Sequence, residues 1–132
     1  MNATREEIRA CCAQIAEVFA RFDLPAFRRT WTLPALLISS ETTIALPDDA
    51  AFERVFGGIM DKLRAQGLTR SVPERIHVRE LGPRLALASV LWARYAGEAV
   101  LERFGATYTL VRRDGDWRVN ALIVHAPETI GE

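Results

Sequence analysis

The stretch from Arg84 to His125, RLALASVLWARYAGEAVLERFGATYTLVRRDGDWRVNALIVH, decides the fold. Ala96-Gly97-Glu98 and Asp114-Gly115-Asp116 divide it into three long strands, because the glycines, and Asp-Gly above all, supply the positive backbone angle of a tight hairpin. With a two-residue loop at Asp114-Gly115, Arg112 pairs with Trp117, and Phe104, Ala106, Tyr108 and Leu110 share the core face. A three-residue loop would instead send Thr107 and Thr109 inward. On the last strand, simple alternation puts Trp117, Val119, Ala121, Ile123 and His125 on one face, opposite Arg118, Asn120, Leu122 and Val124. Trp117 marks the first of these as the core face, so His125 is expected at its far end.

The first strand of the three, 85–93, is apolar on both sides. Leu85, Leu87 and Leu91 lie on one face, and Ala86, Ala88, Val90 and Trp92 on the other. A sheet with one wet face alternates apolar with polar, so both faces here call for a cover. Helices supply one. A second copy of the chain supplies the other, and the expected assembly is a homodimer packed sheet against sheet.

The sequence before Arg84 reads as material for the helical side. Thr4 and Glu7 have capping-box spacing. Ile8, Cys11, Cys12, Ile15, Phe19 and Phe22 then recur at helical spacing, with Arg5, Glu6, Arg9 and Glu17 turned to water. Asp23 opens a short second helix with Pro25 in its first turn; it is expected to carry Phe27 and Trp31 and to stop at Leu33-Pro34. Residues 35–39 and 42–46 read as two short strands around Ser40-Glu41. Pro47-Asp48-Asp49 starts a third helix with Phe52, Val55, Phe56, Ile59, Met60 and Leu63 on one face, closed by Gly67. Gly57-Gly58 inside it implies a close neighbour, the sheet or a bound molecule. Residues 70–81 form a further strand, with Pro73 marking an edge or bulge. The order helix, helix, strand pair, helix, then four strands defines an α+β domain, with helices on one face of a mainly antiparallel sheet.

Composition narrows the function without naming it. The 132 residues are expected to make one domain, 1–132, with 17 basic and 17 acidic residues and no formal net charge. Residues 1–66 carry 8 basic and 9 acidic side chains, so neither half is basic. That speaks against nucleic acid and against anionic membrane. All the basic residues but Lys62 are arginine, a bias that fits a GC-rich bacterial source. MNATREEIRA lacks the apolar core of a signal peptide, and the expected location is the cytoplasm. Cys11 and Cys12 are adjacent, a spacing that matches neither a redox pair nor a zinc site. No metal and no cofactor is expected, since the sequence holds no cluster with ligand spacing, no Gly-rich phosphate loop and no nucleophile elbow.

Two N-terminal helices broken at Phe22-Asp23-Leu24, a third helix after a short hairpin, and the closing TYTLVRRDGDWRVNALIVH resemble the nuclear transport factor 2-like superfamily, also called SnoaL-like or cystatin-like α+β. The resemblance spans Thr4 to Pro127. It implies a strongly curved sheet wrapped around three helices as a cone-shaped barrel, an apolar pocket at the open end, and dimerisation through the convex face. It does not imply one activity, because the superfamily holds isomerases, dehydratases, cyclases, carriers and non-enzymatic domains. Ketosteroid isomerase carries a tyrosine eight residues before the aspartate that opens the second helix and an aspartate base sixteen after it. Counted from Asp23, those places hold Ile15 and Ser39 here, and residues 33–38 contain no ionisable side chain.

The candidate ligand-binding residues are Trp31, Trp92, Tyr108 and His125. His125, beside an apolar pocket, is also the candidate proton-transfer group, with Tyr108 or Glu80 assisting. Trp31 is expected near the cone mouth, as lid or core plug. Glu80 and Arg94 matter if they point inward, and His77 reads as surface. Three functions follow: a dimeric binding domain for a small, mostly apolar molecule, an enzyme of the isomerase, dehydratase or cyclase type using His125, or a non-catalytic interaction module with a plugged pocket.

Overall fold

The structure, a computed structural model, describes residues 3–127. Among the described residues three helices, α1 (Ala3–Ala20), α2 (Leu24–Arg28) and α3 (Asp49–Ala65), accompany six strands. The strands are β1 (Trp31–Ile38), β2 (Thr43–Leu46), β3 (Arg70–Gly82), β4 (Leu85–Ala96), β5 (Ala99–Arg113) and β6 (Asp116–His125). They form one sheet in the order β2-β1-β6-β5-β4-β3. All neighbours are antiparallel except β1 and β6, which run parallel. The architecture is the expected α+β with a mixed sheet. It is not a closed barrel, since β2 and β3 remain as its edges.

The turn chemistry sets the register. Asp114 and Gly115 have φ of 55° and 84°, the paired positive angles of a two-residue hairpin. Arg112 accordingly faces Trp117. Ala86, Ala88, Val90, Ala106 and Leu110 are fully buried on the helix-covered face, with Trp92 and Tyr108 at 4% and 5% exposure. Pro73 sits on edge strand β3 beside a register shift, where its missing N–H costs no ladder bond.

The helices dock as their apolar stripes require. Ile8, Cys12, Ile15 and Phe19 of α1 are buried, and Phe52, Phe56, Met60 and Leu63 bring α3 into the same core. Asp23 and Asp48 each accept a hydrogen bond from the backbone N–H three residues on, at 3.0 Å, which satisfies an orphan donor of the first turn. Phe22, at φ 58°, makes the break between α1 and α2.

Four sequence expectations need correction. Thr4 lies inside the first turn of α1 and does not cap it. Glu7 instead ties α1 to the sheet, its carboxylate accepting from the Trp117 indole at 3.2 Å and from Arg112. Helix α2 ends at Arg28, so Trp31 opens strand β1, pairs with Val119 of β6 and is 1% exposed in a cluster with Phe27, Phe52 and Phe56. The Gly57-Gly58 pair is not approached by the sheet: a Cβ on Gly57 would meet Leu24 of α2 at an ordinary 3.6 Å, and one on Gly58 would meet nothing.

The fourth concerns β6. Leu110 pairs with Val119 but Thr109 pairs with Ala121, so Asn120 is an extra residue on β6, a bulge that reverses the alternation beyond it. Trp117 and Val119 face the helices as expected. After the bulge Leu122 and Val124 take that side, while Ala121, Ile123 and His125 turn to the outer face.

Candidate functional site

Between the helices and the sheet lies a cavity of about 320 Å³. Helix α1 gives it Ile15, Ala16 and Phe19, α3 gives Phe56 and Ile59, and the β1–β2 hairpin gives Leu37, Ile38, Ser39, Thr42 and Ile44. The sheet contributes Trp92, Phe104, Tyr108, Leu122 and Val124. Such a volume with mostly apolar walls is at the small end of ordinary ligand sites. The aromatic cluster around Trp31 fills the neighbouring space and leaves this part open.

The polar groups on the wall are few. The Trp92 indole N–H donates to the Tyr108 hydroxyl at 3.0 Å. The proton of that hydroxyl meets no acceptor among the described residues. A phenol that already accepts a hydrogen bond is polarised toward donating its own. Burial also pushes the Tyr108 phenol well above its ordinary range, so it stays a neutral donor. At another part of the wall Arg94 and Glu102, cross-strand partners on β4 and β5, meet at 2.5 Å. Ser71 stands beside Arg94 on β3, and its hydroxyl is buried with no hydrogen-bond partner among the described residues.

Of the residues singled out in sequence, Trp92 and Tyr108 stand together on the cavity wall. Trp31, His125 and Glu80 do not line it. Trp31 is sealed in the aromatic cluster. Glu80 lies under the start of α1, 3.7 Å from Arg5. His125 is on the outer face, where its Nε2 lies 2.7 Å from the Thr107 hydroxyl and Thr107 lies 2.9 Å from Ser89. Its Nδ1 is 3.0 Å from the Ala126 carbonyl, which can only accept, so Nδ1 donates there, and in the neutral imidazole Nε2 accepts from Thr107. His77 is exposed, as read.

The two places at which ketosteroid isomerase carries its proton-transfer groups, Ile15 and Ser39, both line the cavity. They face the site with a hydrocarbon and an aliphatic hydroxyl in place of the phenol and the carboxylate. Sequence reasoning gave no weight to Ser71 or to the β1–β2 hairpin, and it left Arg94 conditional on facing inward. The signal for Arg94 was a charged residue two positions after Trp92, on the same face of the strand. Among the described residues no group of three His, Cys, Asp or Glu side chains comes together to hold a metal.

The family profile described as NTF2-like protein (DUF6841) matches residues 5–127. The chain belongs to this NTF2-like family. Solved structures carry the same fold at low identity. The structure of Aln2 from a Streptomyces species superimposes with a TM-score of 0.77 at 20% identity, over 95% of this chain and 91% of that one. A domain of unknown function with a cystatin-like fold from Nostoc punctiforme gives 0.75 at 18%, over 95% and 78%. An NTF2-like protein with a cystatin-like fold from Novosphingobium aromaticivorans gives 0.73 at 19%, over 96% and 84%. No curated protein matches. Among the described residues no helix is long and apolar enough to cross a membrane.

Proposed function

We propose that the chain is a binding domain for a small, mostly apolar molecule, held in the cavity beneath α1 and α3 with Trp92 and Tyr108 as its main contacts. The observation that carries this reading is the cavity itself, about 320 Å³ of space that Trp31 and the phenylalanines around it leave unfilled. Its walls favour apolar surface, and the Tyr108 proton is available to a ligand oxygen that reaches it. A catalytic role through His125 has no geometric support, because the bulge at Asn120 puts the imidazole on the other side of the sheet. In this reading the protein works in the cytoplasm as a homodimer through the outer sheet face. Leu85 is 39% exposed there, with Leu87, Leu91 and Ile123 half-buried beside it, and a partner would cover all four.

Calorimetric titration with 1-octanol tests the pocket. Saturable binding is expected, and Ile59→Trp, which grows a side chain from α3 into the space, abolishes it. Absence of binding to the wild-type protein, or unchanged binding to Ile59→Trp, refutes the reading.

A further inference from the structure

We propose, resting on the pocket reading above, that the ligand is an apolar carboxylic acid whose carboxylate replaces Glu102 on the guanidinium of Arg94. The Arg94–Glu102 pair is asymmetric. The Arg94 side chain is 18% exposed, whereas that of Glu102 is 47% exposed. The Arg94 guanidinium carbon lies 4.4 Å from the ring centre of Phe104 and 5.3 Å from that of Phe19, so two aromatic faces hold the cation in place. Glu102 has no such clamp. Half in water already, it can swing out and rehydrate at little cost, as exposed ion pairs generally can. The pair therefore consists of a fixed cation and an exchangeable anion at the edge of an apolar cavity that both residues line.

Ser71 supplies an independent observation. It is the cross-strand partner of Arg94, it lines the same cavity, and its buried hydroxyl lacks a partner among the described residues. A buried hydroxyl left without a partner is disfavoured, and a ligand oxygen at this place would satisfy it. Arg94 and Ser71 together offer donors on adjacent strands, which suits a carboxylate, an acceptor with two oxygens. An amine would find only Glu102 as counter-ion and would leave the clamped guanidinium unpaired. The hydrocarbon part of the acid then runs along Phe19, Phe104 and Val124 toward Tyr108.

Octanoate and 1-octanol share a chain and differ in head group, so the ratio of their affinities, measured by calorimetry, isolates the carboxylate. Wild-type protein is expected to prefer octanoate several-fold, with a preference that falls as salt is added. Glu102→Gln removes the internal competitor and is expected to raise the preference about tenfold further, as befits a charge-assisted pair. Arg94→Gln reverses it, leaving octanol the better ligand. Should Arg94→Gln fold poorly, the Arg94 Nε–H resonance of the wild-type protein decides: octanoate shifts it and octanol does not. Equal affinities in both wild type and Glu102→Gln, a preference that survives Arg94→Gln, or an unmoved Arg94 resonance overturns the inference. Octanol that binds while octanoate has no advantage defeats the carboxylate alone; failure of both ligands defeats the pocket reading with it.

Discussion

Replacing Tyr108 with phenylalanine deletes one oxygen from the wall of the cavity and leaves the Trp92 indole N–H without its acceptor. Both rings are nearly sealed, at 5% and 4% exposure, and the bond between them is 3.0 Å long. Losing the acceptor for a buried donor costs about 1–3 kcal/mol. Unfolding entropy of roughly 2.1 cal/mol/K per residue gives about 280 cal/mol/K for 132 residues, so each kcal/mol corresponds to about 4 °C in Tm. Tyr108→Phe should therefore melt about 4–11 °C below the wild-type protein in a calorimetric scan. Trp92→Phe completes a double-mutant cycle. Once the indole is gone the Tyr108 hydroxyl has no donor to serve, and the cycle should return a coupling of about 1 kcal/mol or more. A Tyr108→Phe protein that melts within about 1 °C of wild type, or a cycle with no coupling, would show that the bond contributes nothing and refute the picture of a polarised Tyr108 donor.

Other consequences are equally direct. Burial lifts the Cys11 and Cys12 thiols from 9.0 to about 11 and about 12, so the folded protein keeps protons that the unfolded chain releases. That stabilising contribution is whole below pH 9 and is lost as the pH rises toward 11–12, by up to about 1.4 kcal/mol per pH unit for each thiol; urea titrations between pH 8 and 10.5 should show the decline, and Cys12→Ala should flatten it. Phe56→Ala removes a ring from the aromatic cluster and should cost about 3–5 kcal/mol by urea unfolding. Gly105→Ala places a Cβ 2.6 Å from the His125 ring and 2.9 Å from the Ala126 carbonyl, and should displace the imidazole from Thr107, visible as a shift of the His125 ring resonances. Leu87→Asp on the outer face should convert a dimer to a monomer in light scattering.

How much of this was legible in the chain divides at identifiable residues. Asp114-Gly115 marks a tight turn but leaves two loop lengths open; the chain adopts the two-residue one, which pairs Arg112 with Trp117 and turns Phe104, Ala106, Tyr108 and Leu110 inward. Tyr108 beside Trp92 on the helix side is the outcome of that loop length. His125 could not be placed from the sequence, because a bulge is an extra residue whose presence depends on how β6 must bend, and nothing in VNAL announces it. Trp31 was misplaced for a different reason: α2 has only five residues, and the parallel partner β6 draws Trp31 into the sheet, a long-range contact with no local signature. The exchange of Arg94 and Glu102 needed both register and exposure, which only the folded chain provides.

The most direct test of the central claim is native mass spectrometry of freshly purified protein, set against its denatured mass. A dimer is expected whose native mass exceeds twice the chain mass by that of small retained molecules, released on denaturation, and the same dimer should take up added octanoate. A monomer at the bare chain mass that retains nothing even with octanoate in excess would contradict both the covered outer face and the open cavity.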